Sequence, residues 1–208
     1  CGGNIFIDLA KKNNCEIIPI DSEHYCINYF IKNFKKESQI DKIYLAASGG
    51  PFLFRDIKFN QDVKSVLNHP TWKMGKKITV DSSTFANKVL ELFEAKILFD
   101  IKAKDIKMIV EQKSNVHTII KLKNNLYFPV IHNPNMQIAI SNSLGVLNNF
   151  DISIDGMSLN FLKPNFSKFP IIKLGFLILT KFGHSGMIIF TILNERLVKM
   201  FLNRNIKY

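Results

Sequence analysis

The spacing of apolar and polar residues changes character several times along the chain, and each change marks an element. Cys15–Ile20 is a short apolar run ending at Pro19 and predicts a buried strand. Lys42–Ala47 predicts a second strand, closed by the turn-forming Ser48-Gly49-Gly50-Pro51. Residues 55–77 hold no period and carry His69-Pro70 in their middle, as a long excursion or lid would. Asp81-Ser82-Ser83-Thr84 then offers N-cap candidates for one helix reaching about Phe99. Ile106–Val110, His117–Lys123 and Leu126–Ile131 read as strands, the last two joined by a hairpin at Asn124-Asn125. Beyond Phe150 a loop rich in Asn, Lys and Pro leads into apolar, helical segments from about Ile171 to Asn203.

These elements predict an α/β (mixed α+β) fold: a small mixed sheet flanked by helices over residues 1–150, and the start of a helical region over 151–208. The longest apolar stretches, such as Leu174–Thr180 and Met187–Leu193, are short of a membrane span, and no membrane partner is expected. No GxGxxG occurs, so the chain carries no dinucleotide-binding fingerprint. It opens on Cys1-Gly2-Gly3 rather than Met, which suggests a piece of something longer.

Composition changes this picture little. A formal charge of +11 invites a nucleic-acid reading, but 25 of the 28 basic residues are lysines, scattered along the chain. Nucleic-acid readers lean on arginine for bidentate contacts, so no nucleic-acid partner is expected. Solubility and attraction of anions account for the charge. Cys1, Cys15 and Cys26 form no metal-binding spacing; Cys15 and Cys26, in apolar surroundings, are expected as buried free thiols.

Four places could do chemistry. On an extended backbone after the first strand, Asp21 and Glu23 would point to one side, and hard oxygen donors so placed suit Mg²⁺ or Mn²⁺. A solvated acidic turn is the competing reading. The helix ending near Phe99 is apolar nearly all round, yet Asn87, Lys88, Glu91 and Glu94 recur at three- and four-residue spacing. That stripe is either a surface Lys88–Glu91 ion pair or a ligand site with Glu91 as a third carboxylate and Asn87 and Lys88 receiving an anion. Ser48-Gly49-Gly50 lets backbone N–H groups approach a phosphate, and Ser82 and Ser83 at the helix start add a second anion-binding corner. The single tryptophan, Trp72, lies in the loop His69–Gly75, either anchored in the core or closing over a ligand.

Taken in order, Asp21-Ser22-Glu23-His24, Ser48-Gly49-Gly50-Pro51-Phe52, His69-Pro70-x-Trp72-x-Met74-Gly75-x-Lys77-Ile78 and Val80-Asp81-Ser82-x-Thr84-x-x-Asn87-Lys88-x-Leu90-Glu91-x-x-Glu94-Ala95 resemble the deoxyxylulose-phosphate reductoisomerases in sequence and separation. The likeness is strong over residues 1–100 and weaker to the end. It implies a metal site of Asp21, Glu23 and Glu91 for Mn²⁺ or Mg²⁺. It implies a sugar-phosphate site of Ser22, Ser48, His69, Ser82, Asn87, Lys88 and Glu91, with Trp72 and Met74 on a closing loop and Gly75 touching NADPH. Glu91, Lys88 and His69 would serve the reaction itself. The implied reaction converts 1-deoxy-D-xylulose 5-phosphate to 2-C-methyl-D-erythritol 4-phosphate by retro-aldol cleavage and re-addition followed by hydride transfer from NADPH.

The resemblance further implies a homodimer, in a bacterial cytoplasm or a plastid-like organelle. Residues 1–14 would be the tail of an NADPH domain, 15–150 the catalytic unit, and 151–208 a truncated helical domain. Some positions depart from the family pattern. Val89 stands where Gly is usual and is expected to crowd the Asn87–Glu91 corner. Glu111-Gln112-Lys113-Ser114 stands for His-Pro-Gln-Ser, Pro134-Asn135-Met136 for Pro-Asp-Met, and Leu193-Asn194-Glu195 for Ala-Asn-Glu. These departures motivate the alternative of an eroded, non-catalytic remnant that still folds.

Overall fold

The computed structural model describes residues 2–34, 39–58, 60–146 and 149–208; Cys1 lies outside them. Its elements in chain order are helix α1 (Gly3–Lys12), α2 (Ser22–Phe34), strand β1 (Ile40–Ala47), α3 (Val63–Val66), α4 (Lys76–Thr84), α5 (Ala86–Phe99), β2 (Ile106–Glu111), β3 (Val116–Leu122), β4 (Tyr127–Ile131), α6 (Met136–Ser143), β5 (Phe161–Leu162), α7 (Ile171–Leu177) and α8 (Gly183–Leu202), with a π-turn at Ile178–Phe182 joining the last two. The sheet runs β4-β3-β1-β2-β5. Among the described residues only β1 and β2 pair in parallel, and the helices α3, α4 and α5 lie in the crossover between them. This is the mixed α+β architecture that the periodicity predicts.

The core forms where alternate apolar positions of β1 and β2 meet α5. Ile43, Leu45, Ile106 and Val110 are fully buried and share one cluster with Ala86, Val89 and Leu92. Behind β3, Phe30 of α2 packs on Ile120 and Leu122. β5, from beyond residue 150, pairs with β2, and α7 and α8 add Ile172, Phe190 and Phe201 to the main cluster.

Several expectations are corrected. Cys15–Ile20 is no strand: it pairs with nothing in the sheet, and Cys15, Ile18 and Ile20 are exposed. An apolar run before a helix carries no period long enough to separate strand from lead-in. Cys15 is therefore exposed, while Cys26 on α2 is fully buried and its thiol is pushed up by burial. The helix expected from Asp81 to Phe99 is two helices. Phe85 breaks it in the left-handed region (φ 68°), its ring buried 4.5 Å from that of Phe169. A left-handed phenylalanine is costly, and the aromatic packing offsets that cost. The two apolar runs near the end, taken separately as too short for a membrane, join through the π-turn. Ile171–Leu202 is long and apolar enough, by length and composition, to cross one. In this fold α7 and α8 pack on α5, and α8 also on α4.

Candidate functional site

One cavity of about 230 Å³ opens where the end of β1, the start of α2, and helices α4 and α5 converge. Asp21, Ser22, Glu23, Ser48, Trp72, Met74, Ser82, Asn87, Lys88 and Glu91 all line it. Nearly every residue expected at a site is thus brought together from four separate segments. His69 joins through hydrogen bonds to Ser48 and Ser82. Gly75 does not line the cavity; it is the exposed N-cap of α4.

The carboxylates meet, but not on a strand. Asp21 caps the start of α2, and Glu23 lies in its first turn. Oxygens of Asp21, Glu23 and Glu91 fall within 4.8 Å of one another. Glu23 and Glu91 are buried, so the solvated-turn reading fails. The Lys88–Glu91 pair exists as well, yet it is buried rather than superficial: the Lys88 ammonium lies 2.5 Å from Glu23 Oε1 and 2.5 Å from Glu91 Oε2. Burial alone would lower that ammonium, but Glu23 and Glu91 hold it above its ordinary value. Glu91 moves the other way. Burial, then the negative charge of Glu23, raise its carboxyl well above the ordinary range despite Lys88. Three carboxyl groups crowded this closely are what keep Glu91 raised, and an all-oxygen donor set of this kind suits a hard divalent ion.

Neighbouring groups fix these side chains. Ser22 Oγ donates to Glu23 Oε2 at 2.6 Å, and Asn87 Nδ2 to Glu91 Oε1 at 2.6 Å. His24 lies beneath the cluster, Nδ1 3.0 Å from Asp21 Oδ2 and Nε2 3.0 Å from the Glu91 carbonyl. Burial would lower its imidazole, but the hydrogen bond and charge of Asp21 and the charge of Glu94 raise it. A charged His24 donates through both nitrogens and ties α2 to α5. Glu94, the last member of the predicted stripe, is exposed and pairs with His24, close to Asp21 on the outer side of the cluster.

The anion corner is built differently from the sequence expectation. Ser82 and Ser83 end α4 instead of starting a helix, so no helix dipole of that kind acts there. Ser83 turns into the core and meets Val80 O and Tyr208 Oη. Ser82 faces the site, held by the Gly49-Gly50 turn. Both glycines have positive φ, and a Cβ on Gly50 would stand 2.8 Å from the Ser82 carbonyl. His69 Nδ1 accepts from Thr71 N (3.1 Å) and Trp72 N (2.9 Å), so its proton resides on Nε2. That N–H points at Ser48 Oγ (3.0 Å) and Ser82 Oγ (3.1 Å), leaving both hydroxyl protons free for an incoming anion. Burial lowers the His69 imidazole to about 4, so it stays neutral.

Trp72 is neither anchored in the core nor free. It is half-buried at the cavity, its ring edge-on to His117 at 6.2 Å. The departures also resolve. Val89 points away from the cavity and into the core against Gly175, so it does not crowd Asn87–Glu91. Asn194 of α8 donates to the buried Asp81 at 2.8 Å, across from Lys77, and docks α8 on the helix carrying Ser82. Sequence reasoning left Glu111, Ser114, His117 and Met136 unassigned, although all line the cavity. Glu111, Ser114 and His117 come together through the turn from β2 to β3, and Met136 joins them from the start of α6, so no motif signature marks them in the sequence.

Two family models match. One described as "1-deoxy-D-xylulose 5-phosphate reductoisomerase C-terminal domain" covers residues 17–99, and one described as "DXP reductoisomerase C-terminal domain" covers 131–208. Similar relatives include the 1-deoxy-D-xylulose 5-phosphate reductoisomerase of Pelagibacter ubique, 39% identical over all of this chain and 55% of that protein. That of Ehrlichia ruminantium is 38% identical over all of this chain and 56% of its own length. Among solved structures, a DOX-P reductoisomerase in complex with NADPH, fosmidomycin and magnesium superposes with a TM-score of 0.88 at 33% identity, over 99% of this chain and 54% of the other. The Zymomonas mobilis enzyme in complex with NADPH gives 0.84 at 26% identity, again over 99% and 54%. The chain thus spans about half the length of the relatives it matches.

Proposed function

We propose, from the premise that the chain belongs to the 1-deoxy-D-xylulose 5-phosphate reductoisomerase family, that it forms the metal- and substrate-binding part of an NADPH-dependent enzyme converting 1-deoxy-D-xylulose 5-phosphate to 2-C-methyl-D-erythritol 4-phosphate. The observation that carries this reading is the convergence of Asp21, Glu23 and Glu91 beside the Ser48–His69–Ser82 corner in one cavity. Mg²⁺ or Mn²⁺ held by the three carboxylates would supply Lewis-acid stabilisation of negative charge on substrate oxygens.

The chain's own residues do the rest. Ser48 and Ser82 donate to the phosphate, with neutral His69 keeping their oxygens oriented. Lys88 and Asn87 add a cation and an amide beside it, and Ser22 meets the sugar. Trp72 and Met74 close the mouth and keep water from the reacting carbons. Gly75, exposed ahead of α4, would meet NADPH. NADPH and magnesium accompany the solved relatives, which supports both as cofactors here. We further read residues 1–150 as the catalytic unit, the assembly as a homodimer, and the compartment as a bacterial cytoplasm or plastid-like organelle. Glu111 and Ser114 lie on the cavity wall, but the three carboxylates and the Ser48–His69–Ser82 corner are all present, which weighs against the eroded remnant.

Titrating the chain with 1-deoxy-D-xylulose 5-phosphate, with and without Mn²⁺, tests the reading through the fluorescence of Trp72. A saturable change that requires Mn²⁺ is expected. A folded chain that shows none, with calorimetry equally silent, overturns it.

A further inference from the structure

The turn between β2 and β3 carries two features that nothing in the core requires. Ser114 is 6% exposed, yet its Oγ has no hydrogen-bond partner. Its backbone sits in the left-handed region, φ 56°, where a residue with a side chain is disfavoured. A buried hydroxyl left unpaired and a strained backbone at the same residue are what a binding site retains and a mere connection does not.

The strain is held in place by Glu111. This side chain is 2% exposed and spends its carboxylate on the turn itself. Oε1 accepts from Lys113 N at 3.1 Å, and Oε2 from Asn115 N at 2.7 Å and Val116 N at 3.3 Å. The Ser114 amide closes the turn on the Glu111 carbonyl at 3.1 Å. The amides on both sides of Ser114 are thus fixed, and in the turn so held its hydroxyl meets no protein partner. Glu111 and Ser114 both line the cavity that holds the three carboxylates.

We propose that Ser114 is a substrate-contacting residue whose hydroxyl bonds an oxygen on the carbon skeleton of the bound sugar phosphate, with Glu111 as its positioning residue. This rests on the sugar-phosphate reading given above. The skeleton, rather than the phosphate, follows from the wiring. The anion donors Ser48 and Ser82 are linked to one another through His69, and Ser114 shares no bond with them. Its neighbours on the wall are Val116, His117 and Met136, a surface suited to carbon and hydroxyl groups.

The test uses the whole chain with Mn²⁺ and calorimetric titration of two probes, 1-deoxy-D-xylulose 5-phosphate and inorganic phosphate. Ser114→Ala deletes the hydroxyl; Ser114→Gly deletes it and also accepts the positive φ, so the pair separates loss of the hydroxyl from backbone strain, and melting curves check that each is folded. Both should weaken the sugar phosphate by about five- to tenfold, the loss of one hydrogen bond, and leave inorganic phosphate unchanged. Glu111→Gln cannot accept from three amides and should lose affinity in the same selective way, with little further loss in the Ser114→Ala background. Equal loss of both probes, or wild-type affinity in both Ser114 variants, overturns the inference while the sugar-phosphate reading stands. Wild-type chain that binds neither probe overturns that reading, and this inference with it.

Discussion

Val89 of α5 and Gly175 of α7 are fitted to each other: a β-carbon on Gly175 would lie 2.6 Å from Val89 Cγ1 and 2.8 Å from Cγ2. Val89 is fully buried, so its methyls cannot swing into solvent. The side chain expected to crowd the metal corner is instead accommodated on the far side of its helix, by the absence of one on α7. The contact sets how closely α7 approaches the helix that carries Lys88 and Glu91.

Gly175→Ala should therefore destabilise, although alanine is the better helix former. Overpacking costs about 1–3 kcal/mol against roughly 1 kcal/mol of helix propensity gained. Val89→Ala alone leaves a void. The double variant should recover to within about 1 kcal/mol of wild type, because each change makes room for the other. Urea midpoints decide it, and a Gly175→Ala chain as stable as wild type would show the fit to be loose.

Lys88 holds Glu23 and Glu91 together, and those same carboxylates belong to the metal set. Lys88→Met leaves buried charges unpaired and should cost about 3–5 kcal/mol in chelator-treated protein. The variant also loses the cation that competes with Mn²⁺, so the ion should raise its melting temperature more than that of wild type. A smaller Mn²⁺-induced shift in the variant would mean that the ammonium and the ion do not share these oxygens.

Stability should fall on the acid side because His117 is buried uncharged. Burial, foremost, lowers its imidazole to about 4 from 6.5, and its ring stacks on His132 at 3.6 Å. Between pH 6.5 and 4 the unfolded chain takes a proton there that the folded chain refuses, so stability present above pH 6.5 is lost as pH falls through that window. The loss from this residue is about 2–3 kcal/mol. His24 has the opposite sign: its raised imidazole stabilises below its unfolded value and the benefit fades as pH rises through its folded one. Denaturation of His117→Gln at pH 7 and 4.5 should give a shallower acid decline than wild type; an unchanged slope would reject the assignment.

Period and turn chemistry made much of the fold legible: β1 to β4, the hairpin with Asn125 at positive φ, and the helical end were all readable. What escaped was decided by tertiary contacts. Phe85 can break a helix because Phe169 receives its ring, and Phe169 lies far off in the chain. Cys15–Ile20 has strand composition but no neighbouring strand to pair with. The two-residue β5 is too short to show a period. At the site, the side chains with motif signatures could be named in advance. Glu111 and Ser114 could not, since their roles depend on a turn geometry that no spacing encodes.

His69 divides its two nitrogens between two tasks, and two substitutions separate them. Nδ1 latches the amides of Thr71 and Trp72, while Nε2–H orients Ser48 and Ser82. Asparagine places its carbonyl oxygen near the position of Nδ1, and glutamine places its amide nitrogen near that of Nε2. His69→Asn should keep the latch, so free-protein Trp72 emission stays as in wild type while inorganic phosphate binds about five- to tenfold more weakly, the loss of one hydrogen bond's worth of order. His69→Gln should do the reverse. Its phosphate affinity stays within about threefold of wild type, and Trp72 emission shifts to the red as the loop comes away from His117. If both variants bind phosphate as wild type does, His69 is a loop anchor alone, and the serine hydroxyls need no partner to hold them.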